Sequence, residues 1–234
     1  MRWDLSDRPA YLLGVGTAAL HAREQGIDAI SVIEFGVAAG HGLLILEREA
    51  AQIEAETGVR IHVYGFDAGG GLPDTSGDHR DHPDYWVPGD FPMDVAALRA
   101  KLTRAELVIG DVRATLNRFR PAAPVGFAAV DVDLWSSTVP CLEWLARVPR
   151  LTRLPLYFDD IMPYIAHSQA GELLAIHEFN RQHSRTLLIE PWRGVMHDRP
   201  FPEHPYLQHM YVLHDLRAIS ASAVERDARR TVYA

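Results

Sequence analysis

The chain is poor in cysteine, in positive charge and in long apolar runs, and each shortage excludes a class of protein. Its single cysteine, Cys141, excludes an intrachain disulfide framework and an all-cysteine metal site. No apolar run approaches the ~20 residues that cross a bilayer, so no membrane partner is expected. The net charge of −8 opposes general nucleic-acid binding, which requires a basic surface. The first residues lack a secretory signal pattern, and we therefore expect a cytoplasmic protein.

The 234 residues, 47% of them hydrophobic, suffice for one α/β domain. Apolar runs alternate with amphipathic stretches, which is typical of strands and helices around a parallel sheet. Strands are predicted at 29–35, 61–67, 107–110, 125–132, 154–158, 186–190 and 211–213. Helices are predicted at 40–57, 92–103, 137–147 and 168–182. No linker divides the chain, so residues 1–234 are interpreted as one domain in which the irregular segment 69–91 forms a lid loop.

A glycine-rich turn follows the first predicted strand, at the sheet edge where open α/β folds bind ligands. It contains Gly36 and Gly40, and glycine lets the backbone turn sharply and approach a ligand closely. Position 38 is alanine, so the G-x-G-x-x-G fingerprint of dinucleotide binding is not met. Glu34 precedes the glycines, and an acid there suits a cationic cofactor better than a pyrophosphate. A tight turn without any ligand is the alternative interpretation.

Two further acids follow the second and third predicted strands. Asp67 ends the second strand, where its two carboxylate oxygens match the neighbouring hydroxyls of a ribose. Asp111 follows the third strand, within reach of an adenine amino group. Taken alone, Asp67 is equally well explained as a turn aspartate, but three acids after three successive strands favour a nucleoside-containing cofactor.

A cluster of aspartates is predicted where the fourth and fifth strands end. Asp131 and Asp133 point to the same side if the chain stays extended, because side chains alternate along a strand. Asp159 and Asp160 follow the neighbouring strand and should converge on them. Carboxylates that close repel one another, and a bound cation relieves the repulsion. Oxygen ligands favour magnesium, calcium or manganese over zinc. Capping is the alternative, by Asp133 or Ser136 at the helix that follows and by Asp160 at a turn before Pro163.

The strand ends and the lid carry six short motifs, E-F-G-V-A-A-G, G-F-D-A-G-G-G-L-P, Y-W-V-P-G-D-F, G-D-V-R-A-T-L, V-D-V-D-L-W-S-S-T and F-D-D-I. Together they resemble the macrocin O-methyltransferase family of class I S-adenosylmethionine (SAM)-dependent methyltransferases. The likeness covers residues 29 to 165, and D-V-D-L-W-S-S-T with the D-D pair is its most specific part. Members of that family methylate sugar hydroxyls of antibiotic-type natural products with SAM and magnesium.

The resemblance implies a Rossmann-like class I methyltransferase fold, α/β, with a mostly parallel seven-stranded sheet and helices on both faces. It implies an O-methyltransferase whose acceptor is a hydroxyl of a sugar or another small natural product, and it leaves a homo-oligomer open. The residues expected to bind SAM are Glu34, Gly36, Gly40 and Asp67, with Asp111 near the adenine. The expected Mg²⁺ ligands are Asp131, Asp159 and Asp160, with Asp133 as the general base.

The chain departs from the family pattern in its strand-one turn, in residues 147–155 and in its short N-terminal segment. These departures favour one alternative, a methyltransferase-like protein that binds SAM without catalysis. A metal-dependent phosphatase of the haloacid dehalogenase type is a second alternative, because D-x-D and D-D are also sequence motifs of that class. That chemistry needs a basic residue between the two motifs, and the only lysine, Lys101, precedes both, so Arg147, Arg150 or Arg153 would have to replace it. A nicotinamide dehydrogenase is the third alternative.

Overall fold

Seven strands form one sheet within the described residues of this computed structural model, which are 6–75, 77–161, 167–196 and 204–221. The strands are β1 Ala29–Phe35, β2 Arg60–Asp67, β3 Glu106–Ile109, β4 Val125–Val130, β5 Arg153–Phe158, β6 Leu187–Pro191 and β7 Met210–Asp215. The helices are α1 Pro9–Glu24, α2 His41–Thr57, α3 Val95–Lys101, α4 Val112–Arg118, α5 Trp135–Arg147 and α6 Gly171–His183. No described helix is long and apolar enough to span a membrane.

The strand order is β3-β2-β1-β4-β5-β7-β6, and only β7 runs against its neighbours. The first three strands build outward from β1 in one direction, and β4 and β5 build outward in the other. The order therefore reverses between β1 and β4, and ligands of open α/β sheets bind beside such a reversal, at the carboxyl ends of the strands.

Helices cover both faces of the sheet, as predicted. Alternate residues of β1 face opposite ways: Val32 packs with the core under α1, α2 and α3, and Ile33 with the core under α4, α5 and α6. Phe127 and Ala128 repeat this division in β4. Because both faces are buried, the central strands are apolar almost throughout, which is why the sequence signalled them so clearly. The prediction of a mostly parallel, seven-stranded α/β fold is confirmed.

Two helices were not predicted from the sequence. Helix α1 is rich in alanine and glycine and packs against α2, β4 and β5, so its buried residues surround most of the helix rather than forming one stripe. Helix α4 has only seven residues and begins directly after Asp111, whose side chain caps it. Both lack the period on which helix prediction depends.

The end of β4 also differs from the prediction. The strand stops at Val130 instead of continuing to residue 132. Asp133 has a φ of 60°, in the left-handed region, and the N–H of Leu134 bonds to the carbonyl of Val132. The chain therefore turns tightly here, and Asp131 and Asp133 are not successive same-side residues of one extended strand.

We predict that Gly36→Ala destabilises the fold much more than Gly58→Ala. Both glycines have a positive φ, of 82° and 75°, so the backbone strain is matched. A Cβ at Gly36 would lie 1.6 Å from the carbonyl oxygen of Asp131, whereas nothing lies within 4 Å at Gly58. Strain alone costs about 1 kcal/mol, and overpacking against backbone adds about 2 kcal/mol or more.

Urea unfolding of the two variants measures the difference. We expect a loss of about 3 kcal/mol or more for Gly36→Ala and about 1 kcal/mol for Gly58→Ala. Equal losses would show that the close approach of β1 and β4 is not a fixed feature of the fold.

Candidate active site

A cleft of about 410 Å³ lies at the carboxyl ends of β1, β2, β4 and β5, beside the reversal of strand order. Backbone hydrogen bonds that continue past the strands hold its walls together. The N–H of Asp131 bonds to the carbonyl of Phe35 at 2.8 Å, and the N–H of Asp159 to that of Val130 at 3.1 Å. The expected site residues that line this cleft are Glu34, Gly36, Asp67, Asp111, Asp131, Asp133, Asp159 and Asp160.

The glycines of the strand-one turn make room for neighbouring groups. Gly36 allows the backbone to pass the carbonyl of Asp131, and a Cβ on Gly42 would lie 1.9 Å from an oxygen of Glu34. Gly40 is not among the lining residues; it adopts a φ of 87° at the start of α2, where a Cβ would meet Leu98. Gly36 and Gly42 thus shape the cleft, and Gly40 positions the helix that borders it.

Glu34 is fully buried at the end of β1, and only one of its two carboxyl oxygens has a described hydrogen-bond partner. Its Oε1 accepts a hydrogen bond from the Tyr11 hydroxyl at 2.6 Å, and its Oε2 has no described partner. Burial raises the pKa of Glu34 to about 7, against the opposing effects of the Tyr11 hydrogen bond and the nearby Arg8. A buried carboxyl with a free oxygen beside a cleft is suited to a cationic ligand group.

Asp67 closes the turn between β1 and α2. Its Oδ2 accepts hydrogen bonds from the N–H groups of Val37 and Ala38, each at 2.9 Å, and its Oδ1 accepts one from Gly69 at 2.6 Å. A carboxylate has about four acceptor positions, so one remains for a ligand hydroxyl. Asp67 therefore shapes the turn in addition to its expected contact with a ribose.

Asp111 lies at the rim of the cleft and is already engaged. Its side chain accepts a hydrogen bond from the N–H of Arg113 and forms an ion pair with the Arg113 guanidinium. These hydrogen bonds hold the pKa of Asp111 below its ordinary value. The carboxylate caps α4 and faces the cleft at the same time.

Three aspartates meet beyond the ends of β4 and β5. Asp131, Asp159 and Asp160 each offer one oxygen, and these atoms all lie within 4.8 Å of one another. The pKa of Asp131 is well above its ordinary value because of burial and the charge of Asp159. The Oδ2 of Asp160 is buried without a described partner. Three converging oxygens, one of them unsatisfied, fit a hard divalent cation such as Mg²⁺.

Asp133 lies next to Asp160, and the two carboxyl groups shift each other's pKa. Burial raises the pKa of Asp133 to about 7, with the Asp131 charge as the next cause. Burial and the Asp133 charge raise that of Asp160 to about 8. Asp133 does not cap α5 among the described contacts, because the N–H of Ser136 donates to Asp81 in the lid. The turn before Pro163, which Asp160 was expected to cap in the alternative interpretation, lies outside the described residues.

The sequence analysis missed Glu172, a further buried acid behind the four aspartates. It lies fully buried in the first turn of α6, where its Oε2 accepts a hydrogen bond from the N–H of Asp160 at 3.0 Å. Burial and the charge of Asp160 raise its pKa well above the ordinary value. An acid in the first turn of a helix is usually explained by the helix dipole, so its pattern carries no signal of a buried site.

The segment 69–91 borders the cleft and is anchored to α5. The guanidinium of Arg80 lies 3.6 Å above the ring of Trp135, and Asp81 caps the helix through Ser136. Farther along, Phe91 lines the cleft and is 50% exposed, and the equally exposed Tyr85 packs edge-on against Trp86, which also lines the cleft. The loop therefore has a docked part and an aromatic rim.

A second depression, of about 600 Å³, lies at the amino end of β5 between α1, β6 and β7. It is lined by His21, Arg153, Glu190, Trp192 and His214 among others. It contains neither the glycine turn nor the aspartates and lies at the opposite edge of the sheet. The smaller, acidic cleft is therefore the candidate active site.

The comparisons with known proteins agree with the fold. No protein-family model matches the chain, and no curated protein matches its sequence. A crystal structure of CalS11, a calicheamicin methyltransferase, is 23% identical with a TM-score of 0.58, over 87% of this chain and 77% of that chain. The apo structure of CalS11, a TDP-rhamnose 3'-O-methyltransferase of calicheamicin biosynthesis, is 21% identical with a TM-score of 0.51, over 87% and 78%. The chain therefore has a Rossmann-like methyltransferase fold.

We predict that Glu34→Gln stabilises the ligand-free protein increasingly as the pH rises. The pKa of Glu34 goes from 4.5 unfolded to about 7 folded, owing chiefly to burial among Tyr11, Arg8, Asp67 and Asp159. The folded state holds the proton more tightly, so this stabilisation is complete below pH ~4.5 and is lost as the pH rises through ~7. Glutamine keeps an acceptor for Tyr11 and does not ionise.

Urea unfolding between pH 5 and 8.5 tests this prediction. The variant should gain up to about 3 kcal/mol over the parent between pH 5 and 8. Glu56→Gln, on the exposed face of α2, is the matched control and should show no such trend. A difference between Glu34→Gln and the parent that does not change with pH would contradict the buried acid.

Proposed function

We propose that this chain is a SAM-dependent O-methyltransferase, assisted by a divalent metal, that acts on a hydroxyl of a sugar or another small natural product. The main support is that one cleft is lined both by the glycine turn with Glu34 and by the triad of Asp131, Asp159 and Asp160. The resemblance of the motifs to the macrocin O-methyltransferase family supports the same assignment.

The charge of the cleft suits SAM. Nine carboxyl groups and only two arginines, Arg8 and Arg113, are among its described lining residues. A cationic sulfonium is favoured in such a field, whereas the pyrophosphate of a dinucleotide is repelled. In this proposal Glu34 and the Gly36 turn bind the methionine end, Asp67 the ribose and Asp111 the adenine.

The aspartate triad would hold Mg²⁺. A divalent cation there would supply positive charge that offsets the three carboxylates and lowers the pKa of an acceptor hydroxyl. Asp160 would bind the cation in its ionised form, which would leave Asp133 as the group able to take up a proton. Asp133 is then a free carboxylate next to the acceptor, held there by the tight turn after β4.

The proposed reaction transfers one methyl group. Asp133 takes the proton of the acceptor hydroxyl while the oxygen forms a bond to the methyl carbon of SAM. The carbon–sulfur bond breaks, its electron pair remains on sulfur, and the products are a methyl ether and S-adenosylhomocysteine (SAH). The chain contributes by holding the two substrates in line and by placing the base.

The rim of the cleft indicates the kind of acceptor. Trp86 and Phe91 line the cleft with aromatic surface that matches the apolar face of a sugar or another ring. The many carboxylates disfavour an acceptor with phosphate groups, so we expect an uncharged or cationic molecule. A nucleotide-linked sugar, as named for CalS11, is for this reason not our preferred acceptor.

A phosphatase of the haloacid dehalogenase type is disfavoured by the positions of the arginines that could replace its lysine. Arg147 lies at the far end of α5, and Arg150 donates to carbonyls at that end and pairs with Asp215 at 3.0 Å. Arg153 begins β5, at the edge of the sheet opposite the aspartates. A non-catalytic SAM-binding protein remains the second candidate, favoured by the departures of the strand-one turn and of residues 147–155 from the family pattern.

We predict that Asp160→Asn abolishes the response to Mg²⁺ and spares the cofactor site. Removal of one ligand charge weakens a carboxylate site for a hard cation, whereas Glu34 and Asp67 are untouched. Differential scanning calorimetry at pH 8 should show that Mg²⁺ raises the Tm of the parent but not of the variant. SAH affinity should change less than about threefold, a difference well below one hydrogen bond to a charged group.

Asp90→Asn is the matched control, because Asp90 lines the cleft outside the triad. Its Mg²⁺ response should equal that of the parent. A full Mg²⁺ response in Asp160→Asn would remove the metal from the proposal.

We predict that Asp133→Asn slows methyl transfer by about 10²–10⁴-fold, the usual contribution of a general base. Asparagine preserves shape and hydrogen bonding but takes no proton. Single-turnover transfer of radiolabelled methyl from SAM to a panel of glycosides measures the rate, and calorimetric titration measures SAH binding. An unchanged rate, or a rate loss that merely follows lost SAH binding, would contradict the role of Asp133.

A further inference from the structure

We propose that Arg8 binds the carboxylate of the methionine end of SAM while Glu34 binds its ammonium group, so that the two form a clamp for the zwitterion. The inference rests on the proposed function and assigns a role to the start of α1, which the sequence motifs did not include. It predicts that the cleft distinguishes adenosyl compounds by their amino acid end.

Arg8 lies directly before α1 and lines the same cleft as Glu34. Its guanidinium lies 3.3 Å from the Tyr11 hydroxyl and 3.9 Å from Asp131. The second distance is too long for a hydrogen bond, so among the described residues no carboxylate accepts one from Arg8. A guanidinium has five N–H donors, and most of those of Arg8 are therefore available to a ligand carboxylate.

Glu34 supplies the opposite charge. Its Oε2 is buried at the cleft and has no described partner, which is costly unless a ligand donates to it. An ammonium group has three donors and a positive charge, so it satisfies this oxygen and favours the ionised carboxylate. The unsatisfied atom thus indicates the group that the site accepts.

Tyr11 fixes the separation of the two charges. Its hydroxyl accepts a hydrogen bond from Arg8 and donates one to Glu34 at 2.6 Å. Its ring packs edge-on against Phe127 and Tyr157, at centroid distances of 5.6 and 5.5 Å, and is fully buried. A cation and an anion are therefore held side by side on a rigid support, as an α-amino acid requires.

Arg113, the other arginine that lines the cleft, does not compete for this role. It is committed to a close ion pair with Asp111, at the end of the cleft assigned to the adenine. Arg8 is thus the described cation available near Glu34. A different role for Arg8, neutralisation of Asp131 alone, would affect the metal triad and would not depend on whether the ligand carries an amino acid.

Two ligands separate these roles, SAH, which carries the amino acid, and 5'-methylthioadenosine, which lacks it. Calorimetric titration of the parent and of Arg8→Met, which keeps an unbranched, apolar stem without the charged guanidinium, is done with and without Mg²⁺. We expect SAH to bind about 10–100-fold more weakly to the variant, as for lost hydrogen bonds between charged groups. Binding of 5'-methylthioadenosine should change less than about twofold, because it makes no such contact.

Two further variants complete the test. Arg8→Lys should recover part of the SAH affinity, and Arg113→Met should weaken both ligands by the same factor. The clamp is overturned if Arg8→Met leaves SAH affinity unchanged or weakens both ligands equally. If the parent binds neither ligand, the proposed cofactor is wrong and the clamp falls with it, so failure of the clamp alone is recognised by normal SAH binding in the parent.

Discussion

The burial of like charges at one edge of the sheet is the constraint on which the site depends. Burial raises the pKa of Glu34, Asp131, Asp133, Asp160 and Glu172, all near the ends of β1, β4 and β5. Without a ligand, the described partners of the acids at this edge include two tyrosine hydroxyls, which donate to Glu34 and to Asp159, and Arg8 beside Asp131. These contacts offset the negative charge only in part. A positively charged cofactor and a divalent metal are the ligands that would relieve the remaining repulsion.

The central strands are buried on both faces, and the stability that this burial supplies offsets the repulsion among the acids. Apolar residues of β1 and β4 fill two cores, one under each layer of helices. The reversal of strand order then leaves a gap at the carboxyl ends, and Gly36 lets the two central strands approach closely there. Stability is thus supplied by the middle of the sheet and function is confined to its edge.

The sequence predicted the parts of this arrangement that follow from strand periodicity. Asp131, Asp159 and Asp160 converge because each follows a recognisable strand. Arg8 lies directly before α1 and Glu172 in the first turn of α6, and only the fold reveals that their side chains turn inward. Helix α1 was not predicted because its apolar residues lie on most of its surface and give no amphipathic period. The turn after β4 was not predicted because an aspartate, and not a glycine, adopts the positive φ there.

A crystal structure with SAH and Mn²⁺, with anomalous diffraction recorded at the manganese edge, tests the central claim most directly. The account predicts an anomalous peak bound by Asp131, Asp159 and Asp160, with Asp133 left free as the base. It also predicts SAH in the same cleft, with its methionine end at Glu34 and Arg8. An empty triad, or SAH bound elsewhere, would contradict the account.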